Sequence, residues 1–281
     1  MNLSNSRIKT VAIAALALIN LFFLTYIIRD AAADARNERE AIENVCTIMR
    51  ERGIMISPED VKTGGTIRTM RTSRALEAEE VIAGAILGPT AITDQGVIYL
   101  YENAERGSAE FASAGDFEIR LNKGVITNEG GTLRTVEELL GAVKLESAGM
   151  TVTLDQERGI ETVVVLGAYR EARIFNCSIE FIFGSGSLQT VRGRFVAGVE
   201  PAEDDAGISH ISTALLGFLA EVRRKERKDV AATQIYRVEP GYRHRVVGSF
   251  GEGVLAPAWL ISTDAGNYII DDATGEVSML P

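Results

Sequence analysis

The two histidines of this chain, His210 and His244, are the side chains that could transfer protons near neutral pH or bind a metal ion. Either role needs a second histidine, a cysteine or a carboxylate at a suitable spacing. His210 stands at the start of a predicted helix and His244 in a predicted strand, and neither has such a neighbour. We therefore expect both at surface or second-layer positions, in a protein that is not an enzyme and has no catalytic or metal site.

Acidic residues near the C-terminus could bind calcium, because Asp271, Asp272 and Glu276 lie close together in the sequence. A calcium loop, however, places its acidic ligands at alternate positions, and this segment does not. Gly275 indicates a tight turn in place of an ion site. We accordingly expect neither a metal ion nor a cofactor.

The two cysteines, Cys46 and Cys177, could form a disulfide if the chain folds outside the cytoplasm. Cys177, however, alternates with Phe175 and Ile179 along a predicted strand, a pattern typical of a small buried thiol. Cys46 belongs to a predicted helix much earlier in the chain. The pattern favours two thiols over a disulfide.

A polar residue in an apolar segment is the sharpest candidate for binding. Asn20 lies at the middle of the run from Thr10 to Ile28, where its amide would have no water to bond. Ala14 and Ala17 precede it at helical spacing, and such small residues allow a second helix to approach closely. These three residues predict a contact with a partner helix. The alternative is that a lone asparagine is simply tolerated in a membrane anchor.

The run from Thr10 to Ile28 itself predicts a membrane-spanning helix. It has about 19 residues without an ionised side chain, and as a helix it would be roughly 29 Å long, close to the thickness of a bilayer core. Arg7 and Lys9 before it favour a cytoplasmic N-terminus and an extracytoplasmic body, with the protein in the cell membrane. A cleaved signal peptide is the alternative, because Ala33-Asp34-Ala35 has the form of a signal-peptidase site.

Charge restricts the partners of the rest of the chain. The 281 residues include 29 basic and 39 acidic ones, for a net charge of −10 at pH 7. Nucleic acid and anionic lipid surfaces repel an acidic body, so binding to either is not expected. Length and the glycine pair Gly130-Gly131 predict three segments. These are the tail and anchor (1–33), a stalk helix with a first α+β domain (34–130), and a second α+β domain (131–281).

Apolar periodicity predicts helices separated by groups of short strands. A stalk helix runs from Asp34 to Arg52 and ends at Gly53, and a short helix of about two turns starts at Ser57. Three amphipathic helices are predicted at Arg74–Leu87, from a capping box at Thr135–Glu138 to Gly149, and at Ile208–Arg227. Strands are predicted at Gly96–Tyr101, Ala109–Ala112, Asp116–Asn122, Thr151–Leu154, Glu161–Leu166, Arg173–Phe183, Ser187–Val196, Thr233–Val238, Arg243–Phe250, Ala258–Thr263 and Tyr268–Asp271. This order is typical of the α+β class, with helices packed on one face of antiparallel sheets.

The C-terminal stretch from Ala256 to Val277, APAWLISTDAGNYIIDDATGEV, resembles the end of YycI-type two-component regulatory proteins. That ending consists of a proline–tryptophan strand, a hairpin and a tyrosine-containing strand closed by Ala-Thr-Gly-Glu-Val. Arg173–Phe183 is similar to a strand of the family, Ile211–Leu219 to its amphipathic helix, and Leu18–Leu24 to its membrane span. The Gly-Glu-Val hairpin is also similar to the end of PepSY-type domains.

The resemblance implies a single-pass, extracytoplasmic and non-catalytic accessory protein. Together with its relative YycH, a YycI-type protein associates with the YycG/WalK sensor histidine kinase, which controls cell-wall metabolism in Gram-positive bacteria. The implied partners are therefore a sensor histidine kinase and a YycH-like protein. The alternative is an anchored PepSY-like inhibitor or envelope-assembly factor that acts on a protease or a cell-wall enzyme.

Overall fold

The computed structural model describes residues 3–63, 67–202, 207–225, 232–248 and 251–280. The chain divides into two compact units, Met1–Pro58 and Glu59–Pro281. The first unit is helical, and the second contains helices and strands. The predicted α+β class is confirmed.

The first unit consists mainly of one helix, α1 (Leu3–Glu51). The apolar run and the charged stalk both lie on it, so the predicted stalk helix is confirmed and continues the apolar segment without a break. Its end follows the prediction, because Gly53 has a φ of 87° and donates its N–H to the carbonyl of Arg50 (3.0 Å). The N–H of Ile54 donates to the carbonyl of Met49 (3.0 Å). This pair of bonds is a Schellman motif, which requires a left-handed residue at the position of the glycine.

Three α-helices belong to the described part of the second unit, namely α2 (Leu76–Leu87), α3 (Thr132–Val143) and α4 (Ile211–Lys225). The predicted helices over Arg74–Leu87 and Ile208–Arg227 are confirmed as α2 and α4, although the end predicted for α4 beyond Lys225 lies outside the described residues. α2 ends where Gly88, with a φ of 69°, donates its N–H to the carbonyl of Gly84 (2.9 Å).

The helix predicted from Ser57 is wrong in length. The structure has a single turn of 3-10 helix there, over Pro58–Asp60. Val61 then forms a bridge with Val238, and the N–H of Lys62 donates to the carbonyl of Val238 (2.9 Å). Pairing with a distant strand therefore ends the helix after one turn.

The capping box predicted for α3 is also wrong. The helix starts at Thr132 with Gly131 as its N-cap, and the hydroxyl of Thr135 donates backwards to the carbonyl of Gly131 (3.1 Å). The C-terminus lies at Lys144, which takes a left-handed φ of 55°, and not at Gly149. Gly149 lies inside the next strand, so the chain leaves the helix earlier than its glycine suggests.

The second unit has fourteen strands in its described residues. They are β1 (Met70–Thr72), β2 (Ala91–Asp94), β3 (Ile98–Asn103), β4 (Gly107–Ala112), β5 (Asp116–Leu121), β6 (Ser147–Asp155), β7 (Ile160–Tyr169), β8 (Ala172–Gly184), β9 (Ser187–Arg194), β10 (Glu200–Pro201), β11 (Ile235–Val246), β12 (Gly253–Thr263), β13 (Gly266–Asp271) and β14 (Val277–Met279).

The strands pair in the order β10-β1-β12-β11-β8-β9-β5-β4-β3-β2. Strands β13 and β14 extend from β12, and β7 joins β8 to β6. These pairs are antiparallel, as predicted, with one exception: β11 meets β8 in parallel, at Tyr242 and Ile174. This contact makes one mixed sheet out of what would otherwise be two antiparallel ones.

Two separate strands were predicted at Thr233–Val238 and Arg243–Phe250, but the structure has a single strand there, β11. It runs without a break through Pro240 and Gly241, where Pro240 lies opposite Trp259. A Cβ atom on Gly241 would lie 2.5 Å from the carbonyl oxygen of Arg173. Gly241 is thus required because the backbone of β8 approaches β11 closely at this position.

Strand β8 confirms the alternation predicted from its sequence. Its inward side chains are between 2% and 6% exposed, and they are Phe175, Cys177, Ile179, Phe181 and Phe183. Ile179, Phe181 and Phe183 belong to one core cluster, Cys177 to a second and Phe175 to a third. The first of these clusters also holds Ile82 of α2 and Val136 of α3, so these two helices pack on the same face of the sheet.

The division of the chain at Gly130-Gly131 stays a prediction. Strand β5 precedes the glycine pair and β9 follows it, and the two strands pair from Asp116–Arg194 to Arg120–Thr190. Helices α2 and α3, one from each side of the pair, contribute to the same core cluster.

Candidate functional site

The predicted helix-contact residues, Ala14, Ala17 and Asn20, all lie on α1. The side chain of Asn20 is exposed, whereas those of Ala14 and Ala17 lie outside the described side chains. Asn20 is surrounded along the helix by large apolar side chains that are each more than half exposed, namely Leu16, Ile19, Leu21, Phe22, Phe23, Leu24 and Tyr26. We call these seven residues the apolar collar.

The apolar collar encircles the helix and does not form a one-sided stripe. Residues 21 to 24 are consecutive, and successive positions on a helix differ by about 100°. Leaving a large apolar side chain in water forgoes roughly 1.5 to 3 kcal/mol. The hydroxyl of Thr25 donates to the carbonyl of Phe22 (2.8 Å), so this polar group is satisfied within the helix itself. In the part of the chain that the structure describes, no helix combines the length and mean hydropathy of a membrane span.

The two histidines lie on separate elements of the second unit. His210 is exposed and directly precedes α4, where its carbonyl accepts the N–H of Thr213 (3.0 Å). His244 is buried in β11, with Nε2 3.2 Å from the hydroxyl of Thr72. Asn176 fixes the backbone of His244 by two reciprocal bonds of 2.8 Å. Among the described residues, no group of three or more His, Cys, Asp or Glu side chains could hold a metal ion.

Burial lowers the pKa of His244, and the nearby Arg194 lowers it further, while Asp116 acts in the opposite direction. The Nδ1 atom of His244 is buried and has no hydrogen-bond partner among the described residues, so a proton placed there would be unsupported. His244 is therefore harder to protonate in the fold than in the unfolded chain, and its ring contacts Thr72.

The lowered pKa of His244 gives a pH dependence of stability. Unfolded His has a pKa of about 6.5, so below that pH the unfolded chain binds a proton more readily than the folded chain does. The free energy of unfolding should therefore fall as the pH drops below about 6.5. Above that pH, the contribution of His244 to the free energy of unfolding should stay constant. Urea denaturation at pH 7.5 and pH 5.5 measures the change. His244→Gln should reduce the pH-dependent loss, and an unchanged loss would contradict this account.

A cavity of about 20 Å³ lies next to His244 and Thr72, with room for little more than one water. Binding sites for small-molecule substrates are typically about 300 Å³ or larger. The wall of the cavity includes Arg74 and Glu79, which form an ion pair of two bonds: Arg74 Nε to Glu79 Oε1 (2.7 Å) and Nη2 to Oε2 (2.9 Å). The cavity thus borders a structural ion pair and is too small for a substrate.

The Arg74–Glu79 pair links α2 to the sheet. Arg74 Nη2 also donates to the carbonyl of Phe111 in β4 (3.0 Å), and the guanidinium lies 4.4 Å from the centre of the Tyr99 ring. The sequence places Glu79 in the acidic first turn of α2, where exposed acids stabilise a helix. The structure shows that Glu79 is buried and bonded to Arg74.

The acidic residues near the C-terminus form a turn, as predicted. Asp271 Oδ1 accepts the N–H and the hydroxyl of Thr274 (both 3.1 Å), and Gly275 closes the turn onto the carbonyl of Asp271 (2.8 Å). Asp272 Oδ2 accepts the N–H of Ser209 (2.7 Å), which ties the segment before α4 to this turn. The two carboxylates therefore bond to backbone N–H groups of the turn and of the segment before α4.

Both cysteines are buried in the structure. Burial raises the pKa of Cys177 to about 12, so the thiolate that nucleophilic chemistry requires is not formed. Cys177 lines a cavity of about 320 Å³ together with Tyr169, Ile174 and Val199.

A cluster of charges around Glu239 was not predicted from the sequence. Glu239 is 7% exposed and faces three basic groups: Lys62 Nζ at 3.8 Å, Arg173 Nη1 at 3.6 Å, and a closer nitrogen of Arg237. The chain brings these residues together through β8, β11 and the segment that follows the 3-10 turn. Only Arg237 and Glu239 are near neighbours in the sequence, so local spacing gives no signal for the cluster. We call these four residues the Glu239 cluster.

No protein-family model matches the chain, and no curated protein matches it. Among solved structures, it is similar to the crystal structure of an uncharacterized protein from Eubacterium rectale ATCC 33656. The two chains are 9% identical, with a TM-score of 0.46 over 77% of this chain and 87% of that one.

Proposed function

We propose that this protein is a membrane-anchored, non-catalytic accessory regulator of a sensor histidine kinase of the YycG/WalK type, which controls cell-wall metabolism. The apolar part of α1 is the anchor, the N-terminus is cytoplasmic, and the second unit lies outside the membrane. The observation that supports this most is the apolar collar, because seven large apolar side chains exposed around one helix need lipid or a partner helix to cover them.

The continuity of α1 supports a role in coupling the anchor to the segment that follows it. A helix of 49 residues is roughly 73 Å long, more than twice the thickness of a bilayer core. The stalk therefore continues the apolar segment without a flexible joint. A contact made by the anchor can bias the stalk, provided that a partner binds one arrangement of the helix better than another.

The C-terminal strands support the YycI-like family. Pro257 and Trp259 lie on β12, Tyr268 lies on β13, and Val277 begins β14. The Ala-Thr-Gly-Glu segment forms the turn between β13 and β14. This is the strand, hairpin and strand order that the resemblance implies, with Trp259 only 1% exposed.

Copurification from membranes tests the proposed partner. The full chain, solubilised in a mild detergent and captured by a C-terminal tag, should retain a sensor histidine kinase and a YycH-like protein, identified by mass spectrometry. A protease or a cell-wall enzyme in their place would contradict the proposal and favour the PepSY-like alternative.

Substituting Asn20 tests the contact within the membrane. Asn20→Leu should weaken crosslinking between α1 and the transmembrane helices of the kinase, because the amide loses its bond to the partner. Interhelical bonds of this kind contribute about 0.6 to 2 kcal/mol, so the loss should be about three- to thirtyfold. Ala14→Leu and Ala17→Leu should act in the same direction by holding the two backbones apart.

The control for this experiment is Phe22→Leu. Phe22 is also exposed but lies about 200° around the helix from Asn20, so its replacement should leave crosslinking nearly unchanged. Equal crosslinking in all four variants would mean that Asn20 is only a tolerated polar residue.

A further inference from the structure

The Glu239 cluster borders a cavity with an excess of positive charge. The cavity is about 480 Å³, a size typical of small-ligand sites, and its lining includes four basic residues, Lys62, Arg170, Arg173 and Arg237. Two acidic residues, Glu171 and Glu239, also line it. This surplus of two positive charges stands out in a chain whose net charge is −10.

Arg173 shares the single carboxylate of Glu239 with two other cations. Its side chain is 24% exposed, its Nη1 is 3.6 Å from Glu239, and its buried Nε has no hydrogen-bond partner among the described residues. Burial lowers the pKa of Arg173, Glu239 opposes this shift, and Arg237 adds to it. A guanidinium presents a planar fork of donors, and the partial exposure of this side chain allows it to reach a ligand through groups other than the buried Nε.

The hairpin between β7 and β8 brings Arg170 to the cavity at a cost in backbone energy. Arg170 and Glu171 form a two-residue turn with φ values of 48° and 69°, a conformation in which Asn-Gly is strongly preferred. Residues other than glycine are strained there, and such strain is concentrated at functional sites. The N–H of Arg170 donates to a carboxylate oxygen of Glu146 (2.6 Å), which holds the turn in place.

We propose that this cavity binds a small ligand that carries an oxyanion, either a carboxylate or a phosphate group. The guanidinium forks of Arg173 and Arg237 would hold the oxyanion, with Lys62 and Arg170 adding positive charge at the rim. Glu239 is the resident carboxylate that keeps the cations in position when no ligand is bound. Binding of such a ligand does not depend on a kinase partner.

Inorganic phosphate and succinate, titrated separately into the detergent-solubilised full chain by isothermal calorimetry, are the probes. Saturable binding of either probe is expected, and the probe that binds identifies which oxyanion source the site takes. Arg173→Gln and Arg237→Gln should each weaken binding at least tenfold, because each removes a charge-assisted bond. Arg134→Gln should have no effect, since Arg134 is an exposed arginine of α3 that pairs with Glu138 and does not line the cavity.

Glu239→Gln distinguishes a ligand site from a purely structural ion-pair network. In a ligand site, removing the competing carboxylate should tighten binding severalfold, even if the fold becomes less stable. This variant also covers the case in which the arginine variants fail to fold, which thermal unfolding would reveal. Absence of saturable binding for both probes in the natural chain and in Glu239→Gln would overturn the proposal, as would binding that Glu239→Gln weakens.

Discussion

Replacing Glu79 with alanine is expected to lower the free energy of unfolding by about 3 to 5 kcal/mol. The Arg74 and Glu79 side chains are only 12% and 3% exposed, so the guanidinium would stay buried without its counter-charge. Removing one partner of a buried pair is costly for this reason, even where the intact pair contributes little. Urea denaturation of the two chains at neutral pH measures the difference.

The matched control is Glu138→Ala. The Glu138–Arg134 distance (2.9 Å) is close to the Glu79–Arg74 distance (2.7 Å). The Glu138 and Arg134 side chains, however, are 66% and 72% exposed. Water screens such a pair, so its loss should cost only about 0.3 to 0.5 kcal/mol. The double change Arg74→Met with Glu79→Met should recover much of the loss, because no unpaired charge remains. Equal effects of Glu79→Ala and Glu138→Ala would show that burial does not govern the Arg74–Glu79 pair.

Helices and strands that bury one face were predicted correctly from the spacing of their apolar residues. The inward side chains of β8 alternate from Phe175 to Phe183, and α4 buries the predicted apolar residues on one side. In α2 the pattern holds only in part, because Leu76 and Val81 are exposed. These patterns depend only on local spacing, so they can be read without knowing what packs against them. The end of α1 at Gly53 was predictable for a similar reason, since the left-handed glycine acts within one turn of the helix.

Features that depend on a distant neighbour were missed. The break predicted between Val238 and Arg243 follows from Pro240-Gly241, a pair that normally interrupts a strand. In the structure, the close approach of the Arg173 carbonyl makes Gly241 necessary inside β11, and no local pattern reveals this. The Glu239 cluster has the same cause, because the pairing of β11 with β8 brings Arg173 to Glu239. Thr135 shows that a capping-box pattern is not decisive when an earlier glycine already provides the helix start.

The proposed anchoring by α1 predicts that two arginines in the apolar collar release the protein from the membrane. Ile19 and Leu21 lie next to the middle of the Thr10–Ile28 run and are both more than half exposed on α1. An arginine at the centre of a spanning helix costs about 2.5 to 3.5 kcal/mol. The pair Ile19→Arg with Leu21→Arg should therefore disfavour insertion by about 5 to 7 kcal/mol, more than about a thousandfold.

Alkaline washing of membranes followed by immunoblotting measures this release. The natural chain should stay in the washed pellet, and protease added to intact protoplasts should degrade its body, whereas the doubly substituted chain should be lost from the pellet. The control is Asn44→Arg with Ile48→Arg, which adds the same two charges at exposed positions on the stalk of the same helix and should leave the chain in the pellet. Because the number of charges is the same, any difference between the two chains reflects the position of the arginines along α1. Retention of both variants, full protection from external protease, or a mature chain beginning near Arg36 would each contradict the anchor, the last because it would show that a signal peptide had been removed.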